Sequence, residues 1–194
     1  AWDWRFYAER RRLRDYDLNE ENVKPFFQLD NLINATFKCA SELFGLEFSP
    51  LDVPLYHDDC RAWTVSRKGE TIAVFIGDYF SRPSKRSGAW CSAMRSQTKF
   101  PTKQIPIVVN VCNFSKVDNF LLSFEDAKTL FHEFGHALHQ ILSDVTYNII
   151  SGTSVARDFV ELPSQLFEHW LEVPDILEEF ATHCETGETL PPKM

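Results

Sequence analysis

The chain reads FHEFGHALH over residues 131–139, and this stretch decides how the surrounding sequence can fold. Ser123, followed three residues later by Asp126, is typical of a capping box, which marks the first turn of a helix. Glu125 adds negative charge at the same end, where the helix dipole favours it. We therefore expect one helix that begins after Ser123, carries the whole stretch and continues through Leu142.

Two histidines of this stretch, His132 and His136, are separated by four positions. In a helix, that spacing brings their side chains to one face, one turn and about 6 Å apart. Two imidazole nitrogens at this separation can each lie ~2.0–2.1 Å from one Zn²⁺. Glu133 projects toward the neighbouring side of the metal, where it can accept a proton from a water molecule. The HExxH pattern therefore predicts two zinc ligands and a general base.

A catalytic zinc site needs a third protein ligand, and the sequence restricts the choice. The pattern HExxHxxGxxH is excluded, because this chain has His139 and Leu142 where that pattern has Gly and His. A glutamate from the next helix gives the His₂Glu set instead, which leaves the fourth position open for water. Glu161 is the candidate, because residues 155–171 are expected to form the helix that follows the loop at Gly152. His139 then lies beside the site, since a fourth protein ligand would close it.

The remaining pattern predicts several further elements. They are helices over residues 2–17, 25–43 and 175–184, a β-hairpin of residues 61–65 and 71–75 around Lys68-Gly69, a strand over 105–111 and a polar loop over 81–88. Trp2, Phe6, Leu13 and Tyr16 are expected to form the buried stripe of the first helix. The sum is an α+β fold, predominantly α-helical with a small β-sheet, in which the HExxH helix faces the Glu-bearing helix as in zincins.

Bulk composition narrows the class of protein. The 194 residues (22.5 kDa) are 44% hydrophobic and suit one well-buried domain over residues 1–194. The net charge of −8 argues against nucleic acid as a partner, and no apolar run approaches the roughly 20 residues that cross a bilayer. Five cysteines without a CxxC pair indicate reduced thiols and hence a cytoplasmic location. The chain does not begin with Met, so we expect a fragment or short form of a longer fold.

Three stretches carry a resemblance to a known family. They are FHEFGHALH at residues 131–139, SGT at 151–153 and RDFVELPSQ at 157–165, supported by DYFSRPSKR at 78–86 and NVCNF at 110–114. Together they resemble the thimet oligopeptidase and peptidyl-dipeptidase family of zinc metallopeptidases, nearest its peptidyl-dipeptidase branch. The resemblance runs from Trp2 to near the C-terminus.

The resemblance implies a mainly helical enzyme whose deep channel admits short peptides and excludes folded proteins. It implies His132, His136 and Glu161 as zinc ligands, Glu133 as base, and substrate backbone running beside residues 88–90. Family members are several times longer than this chain. Their tyrosine- and histidine-containing stretch, which supports the transition state, lies further towards the C-terminus and has no counterpart in residues 185–194.

The leading hypothesis is a zinc-dependent metallopeptidase with one Zn²⁺ per chain that hydrolyses short peptides, as an oligopeptidase or a peptidyl-dipeptidase. The alternative is a zinc-binding module that folds and holds metal but is inactive alone, and a chance HExxH match in a structural protein is a third. No nucleic acid or membrane partner is expected, and the oligomeric state stays open. Asp158, about one turn before Glu161, is a candidate to orient a histidine ligand, although Arg157 or a loop amide could take that carboxylate.

Overall fold

A computed structural model describes residues 2–16, 20–116 and 120–191 of the chain. Its centre is a five-stranded sheet in the order β1-β2-β3-β5-β4. The strands are β1 (Leu46–Pro50), β2 (Arg61–Arg67), β3 (Glu70–Phe80), β4 (Trp90–Arg95) and β5 (Ile107–Phe114). The helices are α1 (Trp4–Tyr16), α2 (Glu20–Val23), α3 (Leu29–Phe44), α4 (Phe124–Ile141), α5 (Leu162–Glu168) and α6 (Pro174–Phe180). Short 3₁₀ turns cover Lys24–Phe26, Asn148–Ile150 and His169–Glu172.

The sheet is mixed, because β3 and β5 pair in parallel while the other neighbouring strands pair antiparallel. The predicted hairpin is confirmed as β2 and β3. Its two-residue turn places both Lys68 (φ 53°) and Gly69 (φ 78°) in the left-handed region, as a tight hairpin turn with the twist of its strands requires. The strand predicted at 105–111 is confirmed as β5, which is buried on both faces: Val108, Val109, Asn110 and Val111 are each 6% exposed or less.

Helix α4 lies against the sheet and carries much of the core. Its Phe134 packs edge-on against Phe75 of β3 and tilted against Phe37 of α3. The predicted capping box is confirmed, since the Ser123 hydroxyl accepts from the Asp126 amide while the Asp126 carboxylate accepts from the Ser123 amide. The helix therefore starts where the sequence indicates and presents its apolar face to the strands.

Helix α5 approaches α4 closely at Gly135. A Cβ at this position would lie 2.6 Å from the Cα of Ser164 and 3.0 Å from the Cβ of Phe167. Only a residue without a side chain allows this approach. The contact sets the position of α5 relative to the histidines of α4.

The fold is mixed α/β, and its sheet is larger than the sequence indicated. Strands β1 and β4 were not predicted. Strand β4 is an edge strand whose residues are half-buried or exposed, so it shows no clean alternation of apolar and polar residues. It is stabilised by its ladder with β5, a long-range pairing that local sequence patterns do not reveal.

The prediction for the first helix was wrong in part. The stripe expected on the first helix is not buried, since Trp2 is 97% exposed and Phe6 is 59% exposed. Helical periodicity predicts that apolar residues share one face of a helix, but it does not show whether another element covers that face. The side chains of Leu13 and Tyr16, and residue 17, lie outside the described part of the chain. In the described ranges, no helix is long and apolar enough to cross a membrane.

The helix expected over residues 155–171 begins only at Leu162, and residues 157–161 form turns. The cause is Pro163. In a helix running from 155, its ring would meet the carbonyl of Phe159, whereas proline is tolerated in the first turn. Glu161 therefore lies at the N-cap of α5 rather than inside a helix.

Candidate metal centre

The two histidines of the HExxH stretch face the same cleft from α4. The ring centroids of His132 and His136 are 4.8 Å apart, and the rings are nearly perpendicular, at 84°. The His132 side chain is 25% exposed and that of His136 is 12% exposed. Burial lowers the pKa of His136, an effect that the Glu161 carboxylate opposes. The one-turn spacing thus brings both imidazoles to one face, as the sequence predicted.

Glu161 reaches the same point from the N-cap of α5. Its Oε2 lies 3.2 Å from His132 Nε2 and 3.1 Å from His136 Nε2. The Ser164 hydroxyl is 2.8 Å from the Glu161 carbonyl and 3.2 Å from Oε2, so it holds the carboxylate toward the histidines. The three candidate ligand atoms all lie within 4.8 Å of one another.

The chemistry and spacing of these donors fit a zinc ion. Two imidazole nitrogens and one carboxylate oxygen are the His₂Glu set of catalytic zinc sites. Tetrahedral bonds of zinc length place neighbouring ligand atoms about 3.3 Å apart. The nitrogen–oxygen separations of 3.1 and 3.2 Å come close to that value. The site can therefore accept Zn²⁺ with one coordination position left for water.

Glu133 is buried beside the imidazoles and stays unpaired. It is 6% exposed, and its Oε2 has no hydrogen-bond partner among the described residues. Burial raises the pKa of the Glu133 carboxyl to about 7; the Glu161 carboxylate adds to this rise and His132 opposes it. A carboxyl with such a pKa can both take and give a proton near neutrality.

Glu168, which was not predicted from the sequence, contacts the His132 ring at Nδ1, the nitrogen on the side away from Glu161. Its Oε1 lies 2.6 Å from His132 Nδ1, and Lys128 Nζ lies 3.2 Å from its Oε2. Although burial alone would raise the pKa of Glu168, its hydrogen bonds with His132 and Lys128 outweigh that effect and lower it. Asp158, the candidate from the sequence, is exposed and makes no hydrogen bond or ion pair to either imidazole in the described ranges. The sequence did contain a signal for Glu168: it follows Glu161 by about two helical turns, a spacing that places both carboxylates on the same side of a helix.

His139 lies beside the group rather than in it. It is absent from the three convergent ligands, and its ring contacts Phe159 at 6.1 Å between centroids. Burial lowers its pKa. It lines an apolar cavity of about 600 Å³ that contains none of the four predicted site residues. This position agrees with the expectation that His139 lies beside the site and is not one of the ligands.

Two adjoining cavities meet at the centre of the site. One of about 440 Å³ extends past Trp90 and Glu161, and the other, of about 360 Å³, extends past Lys128 and Glu168. Both are lined by Ala89, His132 and Glu133. His132 and Glu133 therefore lie between the two cavities, whereas His136 and Glu161 line only the first.

Comparison with known proteins gives a consistent result. Residues 1–194 match the family model described as Peptidase family M3. The chain is 41% identical to a dipeptidyl carboxypeptidase of Escherichia coli, covering 100% of this chain and 29% of that protein. It is 37% identical to the organellar oligopeptidase A of Arabidopsis thaliana and 33% identical to oligopeptidase A of E. coli, with 100% of this chain and 26% and 30% of those proteins covered. The chain thus spans less than a third of the length of these relatives.

Proposed function

Because the chain belongs to peptidase family M3, we propose that the protein containing it is a zinc metallopeptidase that hydrolyses short peptides. The observation that carries the proposal is the convergence of Glu161 Oε2 on the Nε2 atoms of His132 and His136, at 3.2 and 3.1 Å. These residues are the proposed zinc ligands. A zinc ion held there supplies a Lewis acid for the scissile carbonyl and lowers the pKa of a water molecule toward ~7.

Glu133 is the proposed general base. Its unpaired Oε2 takes the proton of the attacking water and then delivers it to the nitrogen of the leaving amine. Burial supports this role, because none of the described residues donates a hydrogen bond to Oε2 that would favour the ionised form. In each turnover, the Glu133 side chain therefore accepts one proton from the water and donates one proton to the leaving amine.

The cleft supports an extended peptide as substrate. It continues on both sides of Glu133, and Ala89 forms part of its wall in both directions. The neighbouring strand β4 is an edge strand, so its outer side pairs with no strand among the described residues. Peptide backbone can run beside such an edge through main-chain hydrogen bonds. We propose that the substrate passes along residues 88–90, which lead into the start of β4.

The relatives named above are a dipeptidyl carboxypeptidase and two oligopeptidases A. Higher identity to the former favours release of dipeptides over internal cleavage. The alternative of a metal-binding module that is inactive alone receives no support from these names. A cytoplasmic location is also part of the proposal, supported by five free cysteines.

The decisive experiment measures zinc and hydrolysis together. The purified protein should contain one zinc per chain by mass spectrometry, and His136→Ala should remove most of it. His139→Ala is the matched control: it removes a histidine one turn away on the same helix and should keep the zinc. Full zinc content in His136→Ala would contradict the ligand assignment.

Activity is tested on a quenched fluorescent peptide. The 194-residue chain should turn it over more slowly than the same chain inside the longer polypeptide. The resemblance implies that the stretch that supports the transition state has no counterpart in this chain. In other enzymes, loss of one positioned donor to the oxyanion costs roughly 10²–10³ in rate. Equal rates would show that all the required donors lie within these residues.

A further inference from the structure

The two histidines of the metal centre are held unequally. His132 Nδ1 lies 2.6 Å from Glu168 Oε1, while His136 Nδ1 is buried and has no partner in the described residues. Both rings present their Nε2 to Glu161. The Nδ1 atom of His132 is therefore held by a carboxylate, whereas that of His136 is not held by any of the described residues.

We propose that Glu168 is a positioning residue that fixes His132 as the more strongly held zinc ligand. The inference rests on the zinc site proposed above. When the Glu168 carboxylate accepts the Nδ1–H of His132, the ring has its proton on Nδ1 and its lone pair on Nε2, the atom that faces Glu161. A carboxylate behind a histidine also raises the basicity of the nitrogen that binds metal.

Glu168 is itself fixed, because a second group holds its other oxygen. Lys128 Nζ lies 3.2 Å from Glu168 Oε2, and the Glu168 side chain is only 18% exposed. Lys128 and His132 stand one turn apart on α4, so the carboxylate bridges two successive positions on that helix. Lys128, Glu168 and His132 thus form a chain of contacts that ends at the metal centre.

The same arrangement links both helices that supply ligands. Glu161 stands at the N-cap of α5, and Glu168 is the last residue of that helix. One end of α5 therefore brings a carboxylate to the Nε2 side of His132, and the other end brings a carboxylate to its Nδ1 side. Because both nitrogens of the His132 ring contact carboxylates of the same short helix, rotation of the ring is restricted.

A purely structural ion pair between α4 and α5 is the alternative reading of these contacts. The two readings differ in what they affect. A structural pair contributes to the stability of the zinc-free protein and leaves zinc affinity unchanged. A positioning residue changes zinc affinity beyond any change in the stability of the zinc-free protein.

The test is the zinc dissociation constant, measured by competition with a chromophoric chelator, alongside the thermal unfolding midpoint of the zinc-free full chain. Glu168→Ala should weaken zinc binding about 10–100-fold, as is typical when such a partner is removed. Glu168→Gln keeps an oxygen acceptor but loses the charge, so its loss should be smaller. Lys128→Met should have the smallest effect, because the contact to His132 remains.

Glu172→Gln is the matched control. Glu172 is exposed, carries the same charge and lies near enough to Lys128 to raise the pKa of that lysine. Among the described residues, the hydrogen bonds and ion pairs of His132 go to Glu161 and Glu168 and not to Glu172. Its replacement should leave zinc affinity within about twofold, well below the loss expected for Glu168.

The outcomes separate this inference from the function on which it rests. If the unaltered protein binds zinc tightly and Glu168→Ala binds it equally well, the inference fails and the proposed function stands. Equal losses in Glu168→Ala and Glu172→Gln would also overturn the inference. If the unaltered protein binds no zinc, both the inference and the proposed function fail.

Discussion

Two clusters of polar side chains in this molecule differ in whether the protein itself satisfies their buried polar atoms. At the end of β3, Asp78 is 1% exposed and each of its oxygens is satisfied: Arg82 donates to both at 2.7 Å, and Tyr56 donates to Oδ2 at 2.9 Å. Lys85 completes this group through Asp78 Oδ1 at 3.2 Å and the backbone carbonyls of Phe80 and Cys112. We call these residues the Asp78 cluster.

The candidate metal centre is the opposite case. Glu133 Oε2 and His136 Nδ1 are buried without partners in the described part of the chain, and Glu161 Oε2 lies between two imidazole nitrogens. An unpaired buried polar group costs free energy, so its persistence beside the candidate ligands is typical of a functional site. The Asp78 cluster is completed by the fold itself.

The pKa values of the two buried carboxyls express this difference. Burial raises the pKa of Glu133 to about 7, and none of the described residues donates a hydrogen bond to its Oε2 in place of the lost water. Burial also acts on Asp78, but the hydrogen bonds from Arg82, Tyr56 and Lys85 outweigh it and hold the pKa below the ordinary aspartate value. Burial alone therefore does not decide the state of a carboxyl; its partners do.

Glu133→Gln should have the largest effect and should leave stability intact. An amide cannot take the proton, so hydrolysis by the longer polypeptide should fall about 10²–10⁴-fold, the usual contribution of general acid–base catalysis. Zinc content and the free energy of unfolding should stay near those of the unaltered protein. Loss of zinc would make Glu133 a ligand, and retained activity would place the proton transfer elsewhere.

Asp78→Asn should show the reverse profile. It leaves Arg82 and Lys85 with buried, uncompensated charge, which typically costs about 3–5 kcal/mol of unfolding free energy. Urea unfolding measures the loss, and the zinc content of the folded fraction should not change. Asp144→Asn is the control, because the Asp144 side chain is 77% exposed in its pair with Lys99 and should matter little. A stable Asp78→Asn protein would contradict the structural role of the Asp78 cluster.

Gly135→Ala tests the contact that relates the two ligand helices. The added Cβ would meet the Cα of Ser164 at 2.6 Å, so α4 and α5 must separate. Overpacking of this kind costs about 1–3 kcal/mol of unfolding free energy. Zinc affinity should also weaken, because Glu161 moves away from the imidazoles. If chelator competition shows unchanged zinc affinity, the close approach at Gly135 does not position the ligands.

Lowering the pH should reduce the free energy of unfolding that the Asp78 cluster contributes. The folded-state pKa of Asp78 is lowered, so the unfolded chain binds the proton more readily and this group stabilises the fold above its ordinary pKa of about 3.9. That contribution is lost as the pH falls from this value through the lower folded-state pKa. The slope of unfolding free energy against pH below about pH 4 should therefore be shallower in Asp78→Asn than in the unaltered protein. Identical slopes would mean that Asp78 does not contribute this stability.

Much of the candidate site was predictable because its geometry is local. The spacing of His132 and His136 places both on one helix face whatever the helix packs against, and the capping box at Ser123 marks where that helix begins. Pro163 is a further local signal, because a proline in the first turn of a helix is consistent with a start at Leu162. Strand β4 had no such signal, since its pairing partner follows it across a loop and only the ladder defines it.

The sequence by itself determined the donor types, the spacing of the two histidines and the place of Glu133 beside them, because helical periodicity fixes these relations over a few residues. Only the tertiary structure decided which carboxylates reach which imidazole nitrogens. Glu168 and His132 are 36 positions apart in the chain. Their 2.6 Å contact depends on how closely α5 approaches α4 at Gly135, and such an approach follows from the packing of two helices rather than from any local pattern.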